Sequence, residues 1–161
     1  MEPAATPSQT VGPFFAIGLC GSPRNELVSR AAPDAVRIRG RVLDGAGAGV
    51  PDSLVEICGP RSGWGRCGAG VDGAFEFITV KPEALDGQAP HLLVMVFARG
   101  LLRQVLTRLY FPDEEEANAC DAVLSALDER DRATLLAVPA EDSLRFDIRL
   151  QGDGQTVFFA L

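Results

Sequence analysis

His91 is the only histidine of this 161-residue chain and Tyr110 its only tyrosine, so these two side chains exhaust its imidazole and phenol chemistry. His91 lies in Ala89-Pro90-His91-Leu92-Leu93-Val94-Met95-Val96-Phe97-Ala98-Arg99-Gly100, and Tyr110 lies in Thr107-Arg108-Leu109-Tyr110-Phe111. A lone imidazole does not build a metal site. A His-x-His metal strand would place its second ligand at position 93, on the face that His91 occupies, and the residue there is leucine. Composition alone favours a structural histidine at a strand start over a ligand. Arg99 has two readings. It is either a solvated residue at the turn that ends the strand, which composition favours, or an anion clamp, because a guanidinium stays charged and grips a carboxylate bidentately. Glu114-Glu115-Glu116 reads as a charged helix start that suits the helix dipole. No carboxylate pair is singled out for acid/base work, so the chain does not carry a complete reaction alone.

The segments around these residues read as short strands. Val36-Arg37-Ile38-Arg39-Gly40-Arg41-Val42-Leu43 alternates apolar and arginine residues, as a strand with one buried face does. Further strands are expected at 53–58, 74–80, 92–98, 104–110, 144–150 and 156–159, with turn chemistry at Asp44-Gly45-Ala46-Gly47-Ala48-Gly49, Val71-Asp72-Gly73 and Gly152-Asp153-Gly154. The two-sided apolar run 92–98 suits the middle of a sheet. After Pro112 the period changes. Asp113 and Glu116 have capping-box spacing, and Ala117, Cys120, Val123, Leu124 and Leu127 fall on one helical stripe, which predicts a short, broken helix with a second piece over 130–137. The sum is an all-β class: a β-sandwich of short, mostly antiparallel strands with a short helical insertion. Residues 1–35 lack an amphipathic period and are rich in proline and glycine, so they are expected to form an extended N-terminal arm on a sandwich domain of residues 36–161. An arm that carries Phe14, Phe15 and Ile17 needs a surface to pack against.

Composition limits the function classes. A chain of this length fits one domain, burying roughly two-thirds of the surface of its unfolded form. With 22 acidic and 15 basic residues the formal net charge is −7, which argues against nucleic acid as a partner. The N-terminus has neither a basic flank nor an apolar signal core, and no apolar run approaches the ~18 residues of a membrane span. Cys20, Cys58, Cys67 and Cys120 are scattered without a C-x-x-C pair, as expected of reduced thiols; Cys58 and Cys67, across a glycine-rich turn, are the only pair placed to face each other. The expectation is a cytoplasmic protein with no membrane contact.

Several strings together carry a resemblance. Thr6-Pro7-Ser8-Gln9-Thr10-Val11-Gly12-Pro13-Phe14-Phe15, Ala89-Pro90-His91, Phe97-Ala98-Arg99-Gly100, Thr107-Arg108-Leu109-Tyr110-Phe111, Arg145-Phe146-Asp147-Ile148-Arg149-Leu150-Gln151-Gly152 and Gly154-Gln155-Thr156-Val157-Phe158-Phe159 span nearly the whole chain in order. In them the chain resembles the intradiol ring-cleaving dioxygenases, specifically the α chains of the protocatechuate 3,4-dioxygenases. The resemblance implies a sandwich that pairs with a homologous β chain, which holds Fe(III) through two tyrosines and two histidines. It implies a reaction that opens protocatechuate with dioxygen to give 3-carboxy-cis,cis-muconate. In this chain His91 stands where the first histidine ligand would be and Leu93 where the second would be, and Lys81-Pro82-Glu83-Ala84-Leu85 has no tyrosine where the sister motif has one, so no metal ligands are assigned. The pocket wall falls to Thr10, Gly12, Pro13 and Phe14, with Arg99 both binding the anionic substrate and acting in catalysis by charge. Phe14 replaces a tyrosine that related α chains can carry. The alternative is a non-catalytic sandwich module, for binding or scaffolding, that has lost its metal ligands.

Overall fold

The computed structural model describes residues 5–12 and 14–160. Two sheets face each other. The first is built on β1 (Ala35–Leu43), which pairs antiparallel with β4 (Ala74–Val80) and parallel with β8 (Ser143–Arg145) and β9 (Ile148–Arg149); β7 (Val138–Ala140) adds to β8. The second has the order β3 (Gly63–Gly68), β2 (Leu54–Gly59), β5 (His91–Phe97), β6 (Val105–Tyr110), all antiparallel. Period-2 alternation sends Ile38, Val42, Phe75, Phe77, Phe146 and Ile148 from one sheet into the same core as Val55, Ile57, Leu92, Val94, Val96 and Leu109 from the other. The arginines of β1 stay outside, where Arg39 meets Glu76 at 2.8 Å and Arg37 pairs with Asp142. β5 lies inside its sheet, as its two-sided apolar character predicts.

A second, smaller core forms on the outer face of β6, where Tyr110 packs with Ala89, Leu124 and Leu135. Its roof is the helical insertion: α2 (Glu115–Cys120), α3 (Ala122–Ser125) and α4 (Glu129–Ala133). The break between α2 and α3 falls at Asp121, whose extended backbone ends one helix and whose carboxylate caps the next by accepting from the N–H groups of Val123 and Leu124.

Several sequence expectations are corrected. The expected capping box does not form: Asp113 pairs with Lys81, and Glu114 takes the N-cap position of α2 without a side-chain cap. A tertiary ion pair outcompetes the local one. The second helical piece stops at Ala133. The stretch 144–150 is two short strands, because at Phe146 and Asp147 the chain leaves the ladder: Phe146 N–H still donates to Arg39 O, but Arg41 N–H is taken by the Asp147 side chain. The stretch 156–159 gives one isolated bridge, Leu106 to Phe159. The glycine-rich segment after Cys58, read as a turn, contains β3, and β7 was not foreseen. Propensity argues against β3, but Gly65 is where the N-terminal segment crosses: a Cβ there would sit 2.6 Å from Leu27 Cδ1 and 2.9 Å from Arg24 O. β3 also separates the two cysteines that were candidates to face each other. Cys58 is opposite Trp64 on the outer face, and Cys67 is opposite Val55 in the core.

The arm is not fully extended. Phe14–Leu19 form a one-and-a-half-turn helix, α1, after which the chain is pinned to two sheet edges: Arg24 exchanges backbone bonds with Arg66 of β3, and Leu27 N–H donates to Ile78 O of β4. The arm therefore closes one side of the sandwich and covers edges that would otherwise be open.

Gly40, in the middle of β1, shows how tightly the faces meet: an added Cβ would lie 1.8 Å from Phe146 O and 2.6 Å from Phe75 Cζ. The G40A variant should lose roughly 3 kcal/mol of stability through overpacking against a backbone that cannot move aside, read as a lower urea midpoint at unchanged slope.

Candidate functional site

The residues singled out by sequence separate into two places on the β2–β5–β6 face. At the N-terminal end of β5 are His91 and Leu93, side by side on the outer face, with Tyr110 and Arg108 of β6 directly across from them. At the other end, Arg99 follows the strand in a turn that Gly100 makes possible with φ +91°. Eight residues of strand and turn separate His91 from Arg99, roughly 25 Å at ~3.3 Å per residue. They do not share a pocket within this chain.

The Arg99 turn is joined to the arm. Gly100 N–H donates to Thr10 Oγ1 at 2.7 Å, across 90 positions of sequence. This bond sets Thr10 beside the turn that follows Arg99; among the described residues Gly12 has no comparable tie to that turn, and Pro13 lies outside them. The Arg99 guanidinium is exposed and sits 3.8 Å from Asp52 Oδ2, a loose surface pair worth little in water. Phe14 is 78% exposed and Ile17 75%, so α1 presents an uncovered apolar face.

The His91 end is a hydrogen-bonded knot. His91 Nδ1 donates to Ala89 O at 2.8 Å, which leaves Nε2 as the acceptor nitrogen. Burial keeps the imidazole neutral by lowering its pKa, and the Arg108 charge works in the same direction. Arg108 Nη1 donates to Gln88 Oε1 at 2.9 Å and to the Tyr110 hydroxyl at 3.0 Å, and that hydroxyl donates to Asp121 Oδ1 at 3.2 Å. Asp121 is fully buried and also accepts from Ala89 N–H at 2.9 Å, in addition to capping α3. Burial works to raise its pKa, but the N–H groups of Leu124, Ala89 and Val123 and the Tyr110 hydroxyl hold the carboxyl below its ordinary value. Burial raises the Tyr110 phenol, against the pull of Arg108.

These residues do not fit a ferric ion. The one imidazole faces a leucine where a second would stand, the one phenol is engaged on both sides in a second core, and among the described residues no three His, Cys, Asp or Glu side chains converge. Arg108, Gln88 and Asp121 were not assigned roles from sequence. Arg108 was within reach of it: Tyr110 and Arg108 are two apart on a strand, so antiparallel pairing with the next strand sets Arg108 beside His91. Asp121 carried no such signal, because its partners come from three separate elements.

The curated relatives decide the family. An α chain of protocatechuate 3,4-dioxygenase from Burkholderia cepacia is 40% identical over 96% of both chains, and one from Pseudomonas putida is 37% identical over 96% of this chain and 95% of its own. The chain belongs to the protocatechuate 3,4-dioxygenase α-chain family. It is thereby a subunit of an intradiol ring-cleaving dioxygenase, an oxidoreductase of an iron-dependent family. Among solved structures, the dioxygenase domain of a dioxygenase–carbohydrate-binding fusion protein from Streptomyces superposes with TM-score 0.65 at 26% identity, covering 92% of this chain and 99% of that one. Catechol 1,2-dioxygenase from Acinetobacter shares the fold at TM-score 0.59 and 14% identity, over 77% of this chain and 55% of its own. No family model matches the chain.

The knot makes a pH prediction. The folded pKa of Asp121 lies below the unfolded value of about 3.9, so its carboxylate stabilises the fold at all pH values above that and the contribution disappears as pH falls through the folded pKa. D121N should cost roughly 3 kcal/mol at pH 7, since a neutral amide cannot satisfy four donors, and the deficit relative to wild type should shrink below pH 4. Urea unfolding of both proteins at pH 7 and pH 3 measures it; an equal deficit at both would show that the charge is not what matters.

Proposed function

We propose that this chain is the non-metal-binding subunit of an αβ protocatechuate 3,4-dioxygenase, with the Fe(III) held by a homologous β chain and this chain completing the wall of that pocket. The observation that carries it is the Gly100–Thr10 bond, which fixes the arm against the turn bearing an exposed, loosely paired guanidinium. The curated relatives are named as α chains, which supports a β partner, and the failure of His91, Leu93 and Tyr110 to form a ligand set supports iron on that partner. The four free thiols suit a reducing, cytoplasmic setting.

In this reading the arm of residues 1–35 contributes partner contact and pocket, and residues 36–161 are the sandwich that carries it. Thr10, Gly12, Pro13 and Phe14 shape the wall. Phe14 offers ring surface and no hydroxyl, so it excludes water without donating a hydrogen bond. Arg99, once the partner covers it, loses the solvent that screens it and attracts the substrate carboxylate with a charge-assisted hydrogen bond. Binding and charge placement are this chain's share of the reaction. The apolar face of α1 is what the partner's surface would bury.

Two outcomes are expected. The purified chain alone should bind no stoichiometric iron and show no tyrosinate-to-iron visible band; such a band would assign the metal to this chain. In the enzyme assembled with its β chain, R99A should lower kcat/KM for protocatechuate by about 1–3 kcal/mol with iron content intact, and should affect catechol, which lacks the carboxylate, much less. Equal loss on both substrates would place Arg99 in assembly or in the reaction itself, and no change on either would leave it a solvated turn residue.

A further inference from the structure

The His91 end of the β2–β5–β6 face is not filled. A cleft of about 450 Å³ opens there, within the range of small-molecule sites, between Cys58, Pro60 and Leu93 on one side and Leu85, Gln88, His91 and Arg108 on the other. Its walls are mostly apolar, and it holds one permanent cation. Arg108 is partly buried, and among the described residues its side-chain hydrogen bonds go to Gln88 and Tyr110 and to no carboxylate. Glu83 at the rim is already paired with Arg61 at 2.9 Å, and Asp121 is reached only through the Tyr110 hydroxyl. Gln88 and Tyr110 hold the guanidinium through Nη1 alone, and Phe159 lies against it with its ring centroid 5.4 Å away. Its other N–H groups have no protein partner among the described residues.

A cation withdrawn from water needs a counter-charge. Here the protein supplies only neutral acceptors, while orienting the group through a chain that ends on a buried carboxylate. That is a preorganised anion site, and a carboxylate is the anion that matches the planar fork. The second polar feature is His91 Nε2, an acceptor with no protein partner, because Nδ1 carries the proton given to Ala89 O. His91 and Arg108 are diagonal neighbours across the β5–β6 ladder, with Cα atoms roughly 7–8 Å apart. A carboxylate and a hydroxyl at opposite ends of one ring span a comparable separation, and Leu93 and Leu85 offer the faces for the ring.

We propose that this cleft is a ligand site of the chain's own, and that it takes a small hydroxylated aromatic carboxylate, with Arg108 on the carboxylate and His91 Nε2 accepting from the hydroxyl. No chemistry occurs in it. The site binds.

The probe is 4-hydroxybenzoate, which has a single ring hydroxyl and so is not a ring-cleavage substrate. Equilibrium dialysis counts the ligand bound by the protein in the assembly in which it purifies. L93W fills the cleft from an exposed position, Leu93 being 36% accessible, and leaves the hydrogen-bonded knot untouched. Wild type should bind one more 4-hydroxybenzoate per copy of this chain than L93W does. R108M should weaken that same site at least tenfold, and 4-hydroxybenzyl alcohol, without the carboxylate, should not occupy it. If R108M does not fold, the L93W comparison decides alone. Equal stoichiometry in wild type and L93W overturns the proposal, as does a site indifferent to Arg108 in a folded variant. Ring-cleaving turnover and iron content, followed in parallel, report on the αβ reading instead, so failure of one is not mistaken for failure of the other.

Discussion

The Asp121 carboxylate is the point at which three separate parts of the chain become one structure. It accepts from Ala89 N–H at the entry to β5, from Val123 and Leu124 N–H at the start of α3, and from the Tyr110 hydroxyl at the end of β6. A fully buried carboxylate is costly to desolvate, and only this number of donors makes the cost bearable. The consequences run outward. The helical insertion is held as a roof over the second core, the Tyr110 phenol is fixed in orientation, and through it the Arg108 guanidinium is aimed. The imidazole of His91, 5.1 Å from the Tyr110 ring, is set by the same strand entry.

That arrangement explains why one end of the sheet cannot serve as a metal centre. Tyrosine as a ligand to a ferric ion must give up its proton, whereas here burial favours the phenol and its proton is engaged by Asp121. The phenol is held by the Asp121 carboxylate, the guanidinium by Gln88 and the phenol, and the imidazole by the Ala89 carbonyl. The opposite end of β5 is built on another principle, with an exposed, loosely paired guanidinium at Arg99 and the arm held to the following turn by the Gly100–Thr10 bond.

The arm links the two sheets as well as the two roles. Its backbone pairs with β3 and β4, so the segment that presents Thr10 and Phe14 is anchored by the sandwich edges before it reaches the Arg99 turn. Ion pairs from Arg30 to Glu26 and Glu76 add to the outer surface there without deciding the fold.

Patterning was enough to place β1, β2, β4, β5 and β6, because in each a buried face alternates with a polar one, or both faces are apolar over a strand-length run bounded by turn residues. The resemblance singled out Thr10, Phe14 and Arg99, and the structure ties the first to the turn after the last. The failures share a cause. β3 is made of residues with poor strand propensity and exists because the arm crosses at Gly65; the capping box at Asp113 lost to Lys81, 32 positions away; and the stretch 144–150 broke where Asp147 replaced a backbone partner. In each case a long-range contact outweighed a local preference. What the sequence by itself determined is the sandwich, since it follows from residue types and from neighbours one or two positions apart. What only the tertiary structure decided is the grouping of Arg108, Gln88, Tyr110 and Asp121 at one end of β5 and of Thr10 with Gly100 at the other. Those partners lie up to 90 positions apart, and the hydrogen bonds between them exist only once the sheets have closed.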